Sequence, residues 1–312
     1  MADQILQKMI NMEKNNDHKV VCFGEVLWDI LPSGAVPGGA PMNVAYHLHK
    51  QQKNPALITS IGIDEKGEHL VKIFSDYGIC TDFFQVDYEH ETGKVFAQPN
   101  EHNEVVYDIV KPVAWDYIKW EDDFENLVSN ANYFVFGSLA SRNNVSKKTL
   151  FQLLEYAENK VLDINLRAPH FNRRIVEELM SKADFLKLNL AELELITGWF
   201  SKHTSIEDRV RSITDKFKIQ NMVVTMGGDG AVLYYNGNEY VQKGYKVDVV
   251  DTVGSGDAFL AGLLARLLDN ASPVNALEFA SGLGAFIAMQ KGACPVYNVD
   301  EIYNLLKTGV VQ

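Results

Sequence analysis

Apolar residues recur in two rhythms along this chain: short runs in which nearly every position is hydrophobic, and longer stretches in which they return every third or fourth residue. The first suits strands buried on both faces, the second helices with one buried side. Residues 20–31 predict a strand, and 41–49 a helix that follows Gly38-Gly39 and carries proline in its first turn. A strand at 56–61 and a helix at 65–77, stopped by Gly78, follow. Between residues 83 and 110 the rhythm changes to short alternating runs such as Lys94-Val95-Phe96-Ala97, which predict a small β-sheet insertion. After Trp115 helices are expected at 124–128, 147–158, 174–182 and 206–217, with strands at 133–136, 160–164, 185–188 and 222–225 between them. A hairpin at 230–241, a strand at 246–250 and helices beginning at 257, 274 and 300 complete the pattern. Such alternation predicts an α/β fold with a doubly wound, mostly parallel sheet flanked by helices. Ligands then bind beyond the carboxyl ends of the strands, where the loops after Ile30, Leu188, Thr225 and Val250 converge.

The most informative stretch is Asp251-Thr252-Val253-Gly254-Ser255-Gly256-Asp257, a glycine-rich turn leading into an apolar helix. Gly254 and Gly256 carry no side chain to block an anion, and the amides at a helix start can hold the charge that builds on a transferring phosphoryl group. Asp257 beside them can accept a hydroxyl proton during in-line attack. The same residues also suit a purely structural role, as turn glycines and an early-helix acid that complements the dipole. The chain has no G-x-x-x-x-G-K-[ST] loop, and its first strand lacks G-x-G-x-x-G, which disfavours Walker-type and dinucleotide enzymes.

Composition narrows the field. At 312 residues, 46% hydrophobic and 22% charged, the chain can bury a large core and is not a disordered segment. A formal net charge of −12 repels phosphate backbones and anionic membranes, so neither nucleic acid nor membrane is an expected partner. An anionic nucleotide requires a local reversal of sign by amides, a helix start, Lys, Arg or a metal ion. The three cysteines are far apart with no C-x-x-C pair, and residues 1–19 lack a long apolar core, so a cytoplasmic location is expected.

With Gly38-Gly39-Ala40-Pro41-Met42-Asn43-Val44-Ala45 as a second motif in the right order, the chain resembles the ribokinase-like (PfkB-type) carbohydrate kinases over nearly everything after His18. Residues 24–32, 112–116, 137–140 and 163–167 are most similar to the bacterial fructokinase branch. The resemblance implies a kinase domain over 18–312, a small β lid from 31–40 and 83–112, and an extension at 1–17. It implies transfer of the γ-phosphoryl group of MgATP to D-fructose, with Asp257 as base and the Gly254, Ser255 and Gly256 amides as anion hole. Asp29, Gly38, Gly39, Asn43, Arg167 and, in the lid, Phe96 would bind the sugar; Asn189, Thr225, Gly227, Gly230, Gly254 and Gly256 would bind the nucleotide. Asn189 and Glu192 would hold magnesium through water, and Asp251 a monovalent cation such as potassium. The branch also implies a homodimer paired through the lid, where an edge strand bearing Val95 and Phe96 would favour burial. Competing readings are a kinase of a ketodeoxy sugar acid, ribose or a nucleoside, a sugar-binding protein without catalysis, and a nucleotide-dependent oxidoreductase.

Overall fold

The computed structural model describes residues 17–31, 34–99 and 105–311, so residues 1–16 of the expected extension lie outside it. The chain runs β1 (Val20–Phe23), β2 (Leu27–Leu31), β3 (Gly34–Gly38), α1 (Ala40–Lys50), β4 (Ala56–Gly62), α2 (Glu65–Asp76), β5 (Phe84–Asp87), β6 (Gly93–Pro99) and β7 (Val105–Ile109). It continues with α3 (Asp123–Ser129), β8 (Tyr133–Gly137), α4 (Asn144–Leu153), β9 (Lys160–Asp163), α5 (Arg173–Met180), β10 (Phe185–Asn189) and α6 (Leu190–Gly198). The last third holds α7 (Ile206–Phe217), β11 (Asn221–Thr225), β12 (Ala231–Tyr235), β13 (Asn238–Gln242), α8 (Ser255–Leu268), α9 (Pro273–Ala288) and α10 (Val299–Thr308).

Nine strands form one sheet in the order β13-β12-β11-β10-β9-β8-β1-β4-β5. The pairs from β11 to β5 are parallel and only β12 and β13 run antiparallel. One apolar layer packs α1, α2, α8 and α9 on one face, with Phe74, Leu260 and Leu283 fully buried. A second packs α3 to α7 on the other, with Phe134, Leu193 and Ile213 fully buried. Helix starts are fixed locally: Asp64, Asn172, Ser205 and Ser272 each accept a hydrogen bond from the third amide of α2, α5, α7 and α9. Each such cap stabilises its helix by about 1 kcal/mol.

A separate four-stranded sheet, β3-β2-β6-β7, is the small sheet foreseen in the sequence, with different borders. The single strand expected at 20–31 breaks at Gly24–Val26, so β1 belongs to the large sheet and β2 to the small one. Gly24 makes the break: its φ is 140°, its N–H donates to the Ile58 carbonyl and its carbonyl accepts from Thr59 Oγ1 at 2.6 Å. At the other border, β5 pairs with β4 in the large sheet instead of joining the insertion. The strand carrying Val95 and Phe96 is not an edge, because β6 lies between β2 and β7. Val95 packs with Leu27, Ile109 and Trp115 in a third, smaller cluster beneath this sheet.

Residues 246–250 form no strand. Val249 and Val250 are 61% and 64% exposed, and the N–H groups of Val250 and Asp251 donate to the Ala288 carbonyl of α9. The side chains of Val247 and Val249 wall a cleft, which the sequence rhythm alone cannot distinguish from burial in a sheet.

Candidate active site

The loop after β1, the carboxyl ends of β9, β10 and β11, and the start of α8 meet in one region. Gly254 caps α8 at φ 77°, and a Cβ there would strike Ala293, so only glycine fits this turn without displacing the neighbouring loop. Among the three amides expected to form an anion hole, that of Ser255 is already engaged: it donates to the Thr252 carbonyl, which also accepts from Ser255 Oγ at 2.9 Å. The N–H groups of Gly256 and Asp257 are the second and third of the helix, where no intrahelical acceptor exists. They add to the positive end of a 14-residue helix.

Asp257 stands in that first turn with only 9% of its surface exposed. Burial, reinforced by the Asp163 carboxylate, pushes its pKa up to about 6, against the opposing influence of Lys187, Asn43 and Arg167. Asn43, in the first turn of α1, donates from Nδ2 to Asp257 Oδ2 at 2.8 Å. The Asn43 carbonyl oxygen accepts from Cys294 Sγ at 3.3 Å, which orients the amide with its NH2 edge toward the carboxylate. Asp257 Oδ2 is thus held in place.

Lys187 was not singled out in the sequence, and Asp163 figured there only as the first residue of the stretch 163–167. Lys187, buried in β10, donates to both carboxylate oxygens of Asp163 at 2.8 and 2.7 Å, and a Cβ built on Gly256 would lie 3.4 Å from its ammonium. A cation therefore sits beside the turn in a protein of strongly negative net charge. The only signal was a lysine inside an apolar run, Phe185-Leu186-Lys187-Leu188, and its partner lies 24 residues away.

On the acceptor side, Asp29 lies inside β2, not at the end of the first strand. Burial raises its pKa to about 6 while Arg167 draws it down. A Cβ on Gly38 would collide with this carboxylate, and one on Gly39, at φ 121°, with the Glu25 carbonyl. Glu25 is a further buried acid here. Its Oε1 accepts from the Ala40 N–H at 3.3 Å, and burial pushes its pKa up to about 7. Arg167 is exposed and acts electrostatically on Glu25, Asp29 and Asp257 together. Phe96 stands apart from this group. It pairs with Ile30, one residue past Asp29, so the pleat puts it on the opposite face of the small sheet.

On the other side of Asp257 a cleft of about 840 Å3, open mouth included, is lined by Thr225, Gly227, Gly230, Ser255 and Gly256 together with small and apolar residues. It borders the acid's own helix turn. Asn189 and Glu192 form a reciprocal cap on α6: Asn189 Oδ1 accepts from the Glu192 N–H and Glu192 Oε2 from the Asn189 N–H, each at 2.9 Å. Glu192 Oε1 also accepts from the Leu166 N–H at 2.8 Å. Each of its oxygens keeps one lone pair, which can accept from a water of a hydrated cation. Among the described residues no three His, Cys, Asp or Glu side chains converge as a protein-only metal cage. Asp251 bridges two loops by accepting from the N–H groups of Val253 and Gly292 at 3.0 and 3.2 Å.

A large α/β sheet, a separate smaller sheet, and a buried carboxylate at a glycine-opened helix start beside a cleft define a phosphotransferase-like architecture. The chain belongs to the pfkB family of carbohydrate kinases, whose family model matches residues 17–298. It is 29% identical over 307 residues to a fructokinase-1 of Oryza sativa subsp. japonica, covering 88% of this chain and 93% of that one. It is 28% identical over 297 residues to a fructokinase of Vibrio alginolyticus, covering 88% and 94%. Among solved structures it is similar to a fructokinase of Vibrio cholerae O395 bound to fructose, ADP and a calcium ion, with a TM-score of 0.79, 26% identity, and coverage of 94% and 100%. The fold is therefore ribokinase-like and the protein is a sugar kinase by family. No helix among the described residues is long and apolar enough to cross a membrane.

Proposed function

We propose that the protein transfers the γ-phosphoryl group of MgATP to a hydroxyl of D-fructose. The observation that carries this reading is Asp257, held by Asn43 at the start of α8 beside the glycine-lined cleft and within electrostatic reach of Arg167, which also acts on Asp29. Above about pH 6 the Asp257 carboxylate is ionised and can take the acceptor's proton as the hydroxyl oxygen bonds to phosphorus. The bond to the β-phosphate breaks and its electron pair leaves with ADP. The Gly256 and Asp257 amides, the helix dipole and the Lys187 ammonium lie where negative charge accumulates on the transferring group. Asp29 would accept from sugar hydroxyls, Gly38 and Gly39 let the backbone approach them, and Arg167 donates from the rim. Magnesium, when bound with the nucleotide, would neutralise charge on the phosphates, with Asn189 and Glu192 holding it through water. A monovalent cation near Asp251 would stiffen the same turn; equal rates in potassium and in a large organic cation would remove it from the account.

Fructose as acceptor is supported by the fructokinase relatives and by the fructose-bound structure of the Vibrio cholerae enzyme. A panel of fructose, ribose, 2-keto-3-deoxygluconate and nucleosides in a coupled ADP-release assay tests it, with fructose expected to give the highest kcat/KM. A higher value for another acceptor would reassign the substrate while leaving the chemistry intact. Asp257→Asn should lower kcat by roughly a thousandfold or more with the fold retained; a variant at wild-type rate would refute the assigned base. We place the enzyme in the cytoplasm as a homodimer paired through its small sheet, and light scattering showing a monomer at working concentration would exclude the latter.

A further inference from the structure

The loop that follows α9 is fastened to α1 by side-chain hydrogen bonds. Tyr46 Oη donates to the Pro295 carbonyl at 2.6 Å. His47 Nε2 donates to the Ala293 carbonyl at 2.9 Å, and because that oxygen can only accept, Nε2 carries the proton of the ring. Burial pushes the His47 pKa down to about 4, so the ring is neutral and its Nδ1 accepts from the Tyr297 hydroxyl at 3.1 Å. Ala293, Pro295 and Tyr297 are thus anchored by one helix, and Cys294 lies between the first two. The same loop abuts the turn before α8, since a Cβ on Gly254 would lie 2.4 Å from that of Ala293.

Cys294 faces back toward α1. Its Sγ is 3.3 Å from Asn43 Oδ1, while Asn43 Nδ2 is 2.8 Å from Asp257 Oδ2, so the contacts run from thiol to carboxamide to carboxylate. With Asp257 ionised only one pattern satisfies all three groups. A carboxylate only accepts, so Asn43 turns its NH2 group to it, and Oδ1 then faces a sulfur that must donate. Burial and the Asp257 charge raise the Cys294 pKa well above its ordinary value of 9, so the sulfur keeps its proton and is a donor throughout the neutral range. A protonated Asp257 could itself donate, which would allow the carboxamide to turn over, but its NH2 group would then meet sulfur, a weak acceptor. A donor at position 294 therefore favours the amide orientation that belongs to the ionised acid, and by polarising the carboxamide it strengthens the bond to Asp257.

We propose that Cys294 is a positioning residue whose S–H orients the Asn43 carboxamide and thereby favours the ionised form of Asp257. The charged groups that act on the same carboxyl are Asp163 on β9, Arg167 in the loop after it, Lys187 on β10 and Glu25 in the loop after β1. They act through their charge and stay in place when residue 294 is changed, so the contribution of the thiol can be read separately.

The inference rests on the reading of Asp257 as base only for its effect on rate, and two measurements made together separate them. Carbon-13 NMR of protein labelled at its aspartate carboxyls follows Asp257 across about pH 4–8, its resonance identified by its loss in Asp257→Asn. The pH profile of kcat with MgATP and fructose is recorded alongside, with thermal melts confirming folded protein. Cys294→Ala should raise the ionisation midpoint of Asp257 by about half to one pH unit, a roughly three- to tenfold change in its acid constant. The acid limb of kcat should move by the same amount, with KM for ATP within about twofold of wild type. Cys294→Ser, which keeps a donor, should restore both. In an Asn43→Leu background Cys294→Ala should change neither, because the carboxamide through which it acts is gone. An unmoved midpoint in Cys294→Ala, or an equal shift in the Asn43→Leu background, would overturn the inference; a thiol that only packs would lower the melting temperature and leave the Asp257 proton where it was. A midpoint that moves while the acid limb stays would instead show that Asp257 is not the base, and the positioning by Cys294 would stand without that reading.

Discussion

At the scale of single residues, the site holds its key acid at a cost to stability. The pKa of Asp257 rises from an ordinary 3.8 to about 6 because the folded protein disfavours its charge. A folded-state pKa above the unfolded one means that the folded protein binds the proton more tightly. The penalty is therefore full above about pH 6, shrinks as the pH falls through 6, and is absent below about 4. Asp257→Asn removes the charge, so its thermal midpoint should exceed that of the wild type at pH 7.5, by the equivalent of roughly 1–3 kcal/mol, and converge with it near pH 4. Differential scanning calorimetry across that range is the check; a variant less stable than wild type at pH 7.5 would show that the acid is favourably solvated. With Asp257 as the proposed base, the same titration governs activity in the opposite sense, since a base must be ionised. The acid limb of kcat should fall near pH 6. Asn43→Leu removes the donor that stabilises the carboxylate, so this limb should move to higher pH as well as losing height.

At the scale of elements, the turn before α8 couples backbone geometry to chemistry. Gly254→Ala forces a side chain into a left-handed conformation and against Ala293, which should cost about 1–3 kcal/mol and displace the Gly256 and Asp257 amides. The expected loss in kcat is about a hundredfold, as for removal of an oxyanion donor. Gly237→Ala is the control: it has the same φ of 77° but nothing within 4 Å, and should lose stability alone. Equal kcat in the two variants would show that the turn is only a connector. Most elements were legible because their periodicity is set by burial on one or both faces; α7 begins and ends where the rhythm indicates. The departures have physical reasons. Gly24-Glu25 interrupts a mostly apolar run, and only the pairing of β2 with β3 and β6 reveals that the chain changes sheets there. Val247 and Val249 look like strand residues because a cleft wall and a sheet interior select the same side chains. The acid, its helix start and Asn43 were readable as motifs, whereas Lys187 gains meaning only from Asp163 and Gly256, which the fold brings to it.

For the whole molecule, the governing fact is a net charge of −12 enclosing a site for an anionic donor. Near Asp257 the positive contributions are a helix start, Arg167 and Lys187, the last already paired with Asp163, while the remaining field repels the nucleotide as it approaches. The two act over different distances. Contacts inside the cleft are short and poorly screened, whereas the field of the surface acids extends beyond the Debye length of about 8 Å only at low salt. Added salt should therefore remove the repulsion before it weakens the contacts. The association rate of a fluorescent ADP analogue, measured by stopped flow, should rise between about 10 and 150 mM of a large organic cation salt, while its dissociation rate stays nearly constant. An enzyme that steers its nucleotide by long-range attraction shows the reverse slope. A falling association rate here would mean that the surface around the cleft is locally positive despite the overall charge, and that the acids lie on faces the nucleotide never approaches.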